Sequence, residues 1–181
     1  MKTEYEIRIL EINCVDFINQ IEALGAVKSA DYFQRRYVYD MIPAQENAWI
    51  RLRDNGVETT LTYKNIEGST IDGTKELEIV VSDFAKTNEM IEKLGYLSKG
   101  YQENKRTRYY FNDIELDIDT WPGIPAYVEI EGPSEKAINE FLKLINYNKE
   151  NLTALDVQGI YYKYGYKEED LKELLFKGEE Q

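Results

Sequence analysis

Short segments in which polar and apolar residues alternate strictly are the feature that most restricts what this chain can fold into. They cover residues 3–10, 49–53, 58–64, 75–81, 113–119 and 127–131. Period-two alternation is typical of strands that bury one face. Segments near 32–39 and 101–111 are also expected to be extended. The sequence therefore predicts about eight strands.

Helical periodicity separates some of these strands and dominates the end of the chain. The predicted helices span residues 11–24, 82–94 and 133–145, with one or two short ones within 155–164 and 167–177. Glycines follow the first two, at Gly25 and Gly95, as is usual at helix C-termini. The Asn55-Gly56 turn makes the strands on either side of it antiparallel neighbours. Together these patterns predict an α+β fold with a mostly antiparallel sheet whose apolar face is covered by helices.

Composition excludes several classes of function. The 181 residues contain no histidine, so a Ser-His-Asp triad and a histidine-ligated zinc are both excluded. The net charge of −12 argues against a general nucleic-acid binder. No segment approaches the roughly 18 apolar residues of a membrane span. Cys14 is the only cysteine, so no intramolecular disulfide can form and a cytoplasmic location is expected.

The polar faces of the predicted strands carry charge in an ordered way. Acidic pairs occur on four separate strands, and basic residues on three others: Glu4/Glu6, Glu76/Glu78, Asp117/Asp119 and Glu129/Glu131, against Arg51/Arg53, Lys64 and Arg106/Arg108. One interpretation is that each face is simply solvated. The alternative is a closed sheet with these faces inward, where the acids need cations and the bases need an anion between them.

That second interpretation suits a metal–polyphosphate ligand. Mg²⁺ takes carboxylate and phosphate oxygens, often without a full protein cage. Phosphoryl transfer depends on positioning and charge neutralisation, which arginine, lysine and a metal ion supply without histidine.

At this point the sequence resembles the CYTH family, also called triphosphate tunnel metalloenzymes. Six features occur in the family's order: Glu4-Tyr5-Glu6-Ile7-Arg8, Trp49-Ile50-Arg51-Leu52-Arg53, Lys64, Lys75-Glu76-Leu77-Glu78, Arg106-Thr107-Arg108, and Asp119 ten residues before Glu129-Ile130-Glu131. Arg8 and Arg106 replace lysines of the family pattern. Arg36 stands where many members carry an acid, which leaves its role open. Asp117 competes with Asp119 as a metal ligand, and the spacing to Glu129 favours Asp119.

The resemblance implies an eight-stranded antiparallel β-barrel, the triphosphate tunnel, with helices outside. It implies one domain over residues 1–181, with the barrel at about 1–132 and C-terminal helices at about 133–177. Mg²⁺ or Mn²⁺ would bind to Glu4, Glu6, Asp119, Glu129 and Glu131. Phosphate oxygens would bind to Arg8, Arg51, Arg53, Lys64, Arg106 and Arg108. Glu76 and Glu78 would bind a second metal or orient water, and with Glu4 and Glu6 they form the predicted catalytic set.

The function expected first is metal-dependent hydrolysis of a triphosphate, either inorganic tripolyphosphate or a small organic one such as thiamine triphosphate. The alternative is a class IV adenylate cyclase, which converts ATP to cyclic AMP and pyrophosphate. A third interpretation is a non-catalytic polyphosphate-binding module. The expected partner is the triphosphate, with no nucleic acid and no membrane, and a homodimer is left open.

Overall fold

The structure is a computed structural model that describes residues 1–68 and 70–177. The predicted domain also includes residue 69 and residues 178–181, which lie outside the described residues. Eight strands build the main sheet: β1 (Lys2–Ile9), β2 (Val27–Asp40), β3 (Ala48–Asp54), β4 (Thr59–Ile66), β5 (Thr74–Val81), β6 (Ser98–Phe111), β7 (Ile114–Thr120) and β8 (Tyr127–Gly132). The α-helices of the described part are α1 (Cys14–Ala23), α2 (Phe84–Lys93), α3 (Glu135–Leu142) and α4 (Val157–Lys163).

The eight strands close into an antiparallel barrel. Their order is β6-β2-β3-β4-β5-β1-β8-β7, and pairing between β7 and β6 completes the circle. The turn at Asn55-Gly56 joins β3 to β4, and Gly56 has a positive φ of 84° that favours glycine. The predicted α+β barrel with external helices is therefore confirmed.

The barrel is polar inside and apolar outside because the strands alternate. Opposite charges lie directly across from each other on neighbouring strands, as in Arg8 with Glu129, Arg106 with Asp119 and Lys64 with Glu76. Such partners face the same side of a sheet. The outward residues of β1, β7 and β8 instead pack against α1 and α3, forming the largest apolar core. Burial of this outer face stabilises the barrel and leaves its interior for charged groups.

The predicted helices begin at side-chain caps. Asn13, Asp83 and Ser134 each accept a hydrogen bond from a backbone N–H in the first turn of α1, α2 and α3. Asp156 does the same for α4. Helix cover of the outer face is only partial, contrary to the sequence-based expectation. Leu77 and Ile79 of β5 remain 57% and 55% exposed.

The sequence predicted one or two short helices within 155–164 and 167–177, and the second of these segments holds a short 3-10 helix instead of an α-helix. Residues Glu168–Lys172 form a 3-10 helix, and Glu173–Leu174 form a short strand, β10, that pairs parallel to β6. The chain lies so close to β6 here that a Cβ on Gly100 would be 2.7 Å from the carbonyl oxygen of Leu171. Leu171 and Leu174 are buried in a second apolar core, so tertiary packing overrides local helical preference. A further short strand, β9 (Leu152–Thr153), pairs with β1.

Candidate active site

A cavity of about 520 Å³ occupies the barrel interior. Asp40, Ala48 and Ile66 line it, so it reaches the barrel end where β2 and β4 finish and β3 begins. Strand alternation sends charged side chains of β1, β2, β3, β4, β6 and β8 into it. Those charged side chains are Glu6, Arg8, Arg36, Arg51, Arg53, Lys64, Arg106 and Glu129, together with Asp40 and Lys99.

Arg8 joins two carboxylates at the cavity wall. Its guanidinium lies 3.1 Å from Glu6 Oε2 and also contacts Glu129 Oε2. A further N–H donates to the carbonyl oxygen of Leu155 at 3.0 Å. Burial raises the pKa of Glu129, but the charges of Arg8, Arg106 and Lys64 outweigh it and hold that pKa below its usual range. Glu129 is therefore ionised at neutral pH.

Lys64 joins a second pair of carboxylates. Its ammonium group lies 2.9 Å from Glu4 and 3.0 Å from Glu76. Burial raises the pKa of Glu4 to about 7, and the charges of Glu76 and Glu6 add to this although Lys64 opposes them. Burial also acts to raise the pKa of Glu76, but Lys64 and Arg51 lower it overall. The two acids around one lysine thus differ in proton affinity.

Arg51 and Arg53 of β3 are more loosely paired. Glu78 lies 3.5 Å from Arg51 and 3.7 Å from Arg53, and it accepts a hydrogen bond from Thr62 Oγ1 at 2.6 Å. Burial and the charges of Arg51 and Arg106 lower the pKa of Arg53 to about 9. Arg53 therefore carries a positive charge that its surroundings compensate poorly.

Arg106 is the most tightly held cation of the interior. It contacts Asp117 at 2.5 Å, both oxygens of Asp119 at 2.8 and 2.6 Å, and Glu129 at 3.4 Å. Asp119 is fully buried, and burial raises its pKa against the effect of Arg106. Arg108 binds Asp117 and Glu115, each at 2.7 Å. Neither aspartate reaches the cavity, so the preference for Asp119 as a metal ligand stays a prediction.

The structure thus divides the predicted site residues into two groups. Glu6, Arg8, Arg51, Arg53, Lys64, Arg106 and Glu129 line the cavity, whereas Glu4, Glu76, Glu78, Arg108, Asp119 and Glu131 do not. Glu4 and Glu76 nevertheless contact the cavity through Lys64. Glu131 lies across from Glu115 on β7 and binds Lys2 at 3.2 Å, at the opposite end of the barrel. The roles predicted for these residues remain predictions.

The acids at the cavity wall suit a hard divalent cation. Within residues 1–68 and 70–177, no three His, Cys, Asp or Glu side chains converge as a ready-made metal site. Mg²⁺ commonly uses one or two carboxylates and completes its shell with phosphate oxygens and water. Glu6 and Glu129 supply such a pair, because both line the cavity and share Arg8. Their chemistry fits a metal that arrives with a phosphate ligand.

Some cavity residues were not assigned from the sequence. Gln34 and Arg36 lie on the inward face of β2, and strand alternation in that segment could have indicated both. Asp156 and Tyr161 reach the cavity from the α4 segment, which had no signal relating it to the barrel. Trp121 follows β7 and packs against Arg36.

Comparison with known proteins places this geometry in a family. The model of the CYTH domain matches residues 2–158. A provisionally named adenylate cyclase of Methanocaldococcus jannaschii is 27% identical over 161 residues, which is 87% of this chain and 90% of that protein.

Solved structures share the fold at lower identity. A conserved protein of Pyrococcus furiosus has a TM-score of 0.77 at 22% identity, covering 87% of this chain and 99% of that one. HpAC1 of Hippeastrum, named as an adenylyl cyclase and described with a dominant triphosphatase activity, has a TM-score of 0.60 at 13% identity. The match covers 91% of this chain and 96% of that one. These identities support the fold alone.

Proposed function

The chain belongs to the CYTH domain family, whose enzymes act on triphosphate substrates, and from this premise we propose that it is a divalent-metal-dependent triphosphatase. Its substrate would be inorganic tripolyphosphate or a small organic triphosphate. One observation carries the proposal: Arg8, Arg36, Arg51, Arg53, Lys64 and Arg106 surround a single cavity with Glu6 and Glu129 in its wall. No helix in the described residues is long and apolar enough to span a membrane.

Substrate binding would use the cations of β3, β4 and β6. Arg51, Arg53 and Arg106 present donors that match phosphate oxygens, and Lys64 adds a point charge. Arg8 lies beside the two acids, and Arg108 lies farther along the barrel. Each paired cation would exchange a carboxylate for a phosphate oxygen, which frees that carboxylate.

The freed carboxylates would hold the metal. Glu6 and Glu129 are the first choice because they line the cavity, with Glu4, Asp119 and Glu131 as further predicted ligands. A bound Mg²⁺ or Mn²⁺ would neutralise phosphate oxygens and polarise the bond that breaks.

The chain's own groups would position the reaction. Phosphoryl transfer passes through a loose transition state, so placement and charge neutralisation supply most of the catalysis. Glu78 would hold Arg51 and Arg53 in place, since Thr62 fixes its carboxylate. Glu76 would hold Lys64 in the same way. Glu4 would hold Lys64 from its other side, at 2.9 Å.

A second candidate function is cyclisation of ATP to cyclic AMP with release of pyrophosphate. The name of the archaeal relative favours it. Trp49, Tyr161 and Tyr162 also line the cavity and offer rings on which a base could stack. The two reactions would share the triphosphate and metal sites and differ in the attacking hydroxyl.

The test is a turnover assay with tripolyphosphate, thiamine triphosphate and ATP in Mg²⁺ or Mn²⁺, scoring both phosphate and cyclic AMP. We expect phosphate release that stops in excess chelator. Glu6→Gln should lose turnover, whereas the matched control Glu58→Gln, at an exposed site in the β3–β4 turn, should not. Full turnover in chelator, or in the Glu6 variant, would contradict the proposal. Cyclic AMP as the main product would select the second candidate.

A further inference from the structure

Two arginines face each other across neighbouring strands inside the barrel. Arg36 of β2 is the direct cross-strand partner of Arg53 on β3, and both line the cavity. Like charges at directly opposite positions destabilise a sheet. Such a pair inside a closed barrel is costly unless an anion lies between the two side chains.

Arg36 also lacks the carboxylate partners that its neighbours have. Across residues 1–68 and 70–177, no ion pair of 4.0 Å or less involves it, whereas Arg8 contacts two acids and Arg106 contacts three. Arg53 has only Glu78, at 3.7 Å. Burial and the charge of Arg51 lower the pKa of Arg36 to about 10, so it is still a cation at neutral pH. Arg36 and Arg53 are thus the cavity cations least compensated by the protein itself.

The Arg36 guanidinium is held in one orientation by uncharged groups. Its Nε donates to Gln102 Oε1 at 2.9 Å, and its Cζ lies over the Trp121 ring, 4.4 Å from the ring centre. Gln102 is itself anchored, because its amide donates to the carbonyl oxygen of Leu171 at 3.0 Å. In the described part of the chain, the terminal N–H groups of Arg36 donate to no protein acceptor. They are therefore available to a ligand in the cavity.

We propose that Arg36 and Arg53 form a metal-independent oxyanion subsite that binds one phosphoryl group of the substrate. The inference rests on the proposed function for the identity of its natural ligand. Arg8, Lys64 and Arg106 must exchange a carboxylate before they can bind phosphate, and a metal favours that exchange by taking the carboxylate. Arg36 has no carboxylate to release, so it binds the triphosphate first and the metal-dependent contacts follow.

The test is calorimetric titration of metal-free protein with inorganic tripolyphosphate in excess chelator. Wild type should bind, and Arg36→Gln should bind about ten- to a hundredfold more weakly, the loss of one charge-assisted contact. Arg36→Lys, which keeps the charge but not the fork, should lose less than Arg36→Gln. The matched control is Arg35→Gln, because Arg35 is the next residue, is half exposed and binds Asp54 at 3.0 Å. It should change the affinity less than twofold.

The proposal is overturned if wild type does not bind in chelator, if Arg36→Gln binds like wild type, or if Arg35→Gln weakens binding equally. Chemical denaturation of each variant checks the fold, and Arg36→Lys carries the test should Arg36→Gln not fold. Because the titration needs no turnover, the two proposals fail separately. Arg36-dependent binding without hydrolysis would refute the triphosphatase and leave the subsite. Hydrolysis without Arg36-dependent binding would refute the subsite and leave the triphosphatase.

Discussion

Mg²⁺ should increase the affinity of this protein for an unreactive triphosphate analogue about 150-fold. The reason lies in Arg8, which is buried and binds both Glu6 and Glu129. Triphosphate alone, bound to Arg8, leaves Glu6 and Glu129 without a cation. Mg²⁺ alone, bound to the two acids, leaves Arg8 without an anion. If each charge-assisted contact is worth about 1.5 kcal/mol, the two give a coupling free energy of about 3 kcal/mol.

Calorimetry with imidotriphosphate, which resists hydrolysis, measures this coupling directly. The analogue is titrated in saturating Mg²⁺ and in excess chelator, and Mg²⁺ is titrated with and without the analogue. Linkage requires that both comparisons give the same factor. The affinity measured in chelator is the weaker of the two, and it reflects binding of the analogue through Arg36 and Arg53.

A coupling factor below about 3 would refute this account, because the acids and bases would then not compete within one cavity. Glu129→Gln should reduce the coupling, since it removes one of the two contacts of Arg8. Glu58→Gln should preserve it, since Glu58 is exposed outside the barrel.

Two further predictions address the roles of single residues. In steady-state kinetics, Glu129→Gln should abolish turnover at ordinary Mg²⁺, with partial recovery at higher Mg²⁺. Arg51→Ala or Lys64→Ala should instead raise KM about ten- to a hundredfold, and added Mg²⁺ should not restore it. Wild-type values of kcat and KM in all three variants would refute the proposed site inside the barrel. Burial and the charge of Asp117 raise the pKa of Glu115 to about 7, so the folded state binds more protons between its ordinary value of 4.5 and 7. Wild-type stability should therefore fall as pH rises through that window. Glu115→Gln removes the part of the fall that Glu115 causes. The free energy of unfolding of the variant relative to wild type, measured by urea denaturation, should therefore rise by about 1 kcal/mol from pH 4 to pH 8 after allowing for solvent screening. If the difference in free energy of unfolding between variant and wild type is the same at pH 4 and pH 8, the pKa of Glu115 is not raised.

The sequence alone determined the strands and which side chains share a face of each strand. In Glu4-Tyr5-Glu6-Ile7-Arg8 the alternation is local, and it assigns the face of each residue once the segment is extended. Helix starts were equally local, because a cap such as Asn13 or Ser134 binds N–H groups two or three residues away. The resemblance to the CYTH family then predicted the barrel, and the structure confirms it.

Only the tertiary structure decided which charges meet. Arg8 and Glu129 are 121 residues apart, and their contact depends on the pairing of β1 with β8. Strand pairing in the closed barrel also buries Asp119 against Arg106. It places Arg36 directly opposite Arg53, with no carboxylate of the described residues paired to Arg36. It also draws residues 168–174 against β6 at Gly100, where they form a 3-10 helix and a short strand instead of an α-helix. Periodicity carries no information about such contacts, because their free energy depends on strand register and burial between segments distant in the chain.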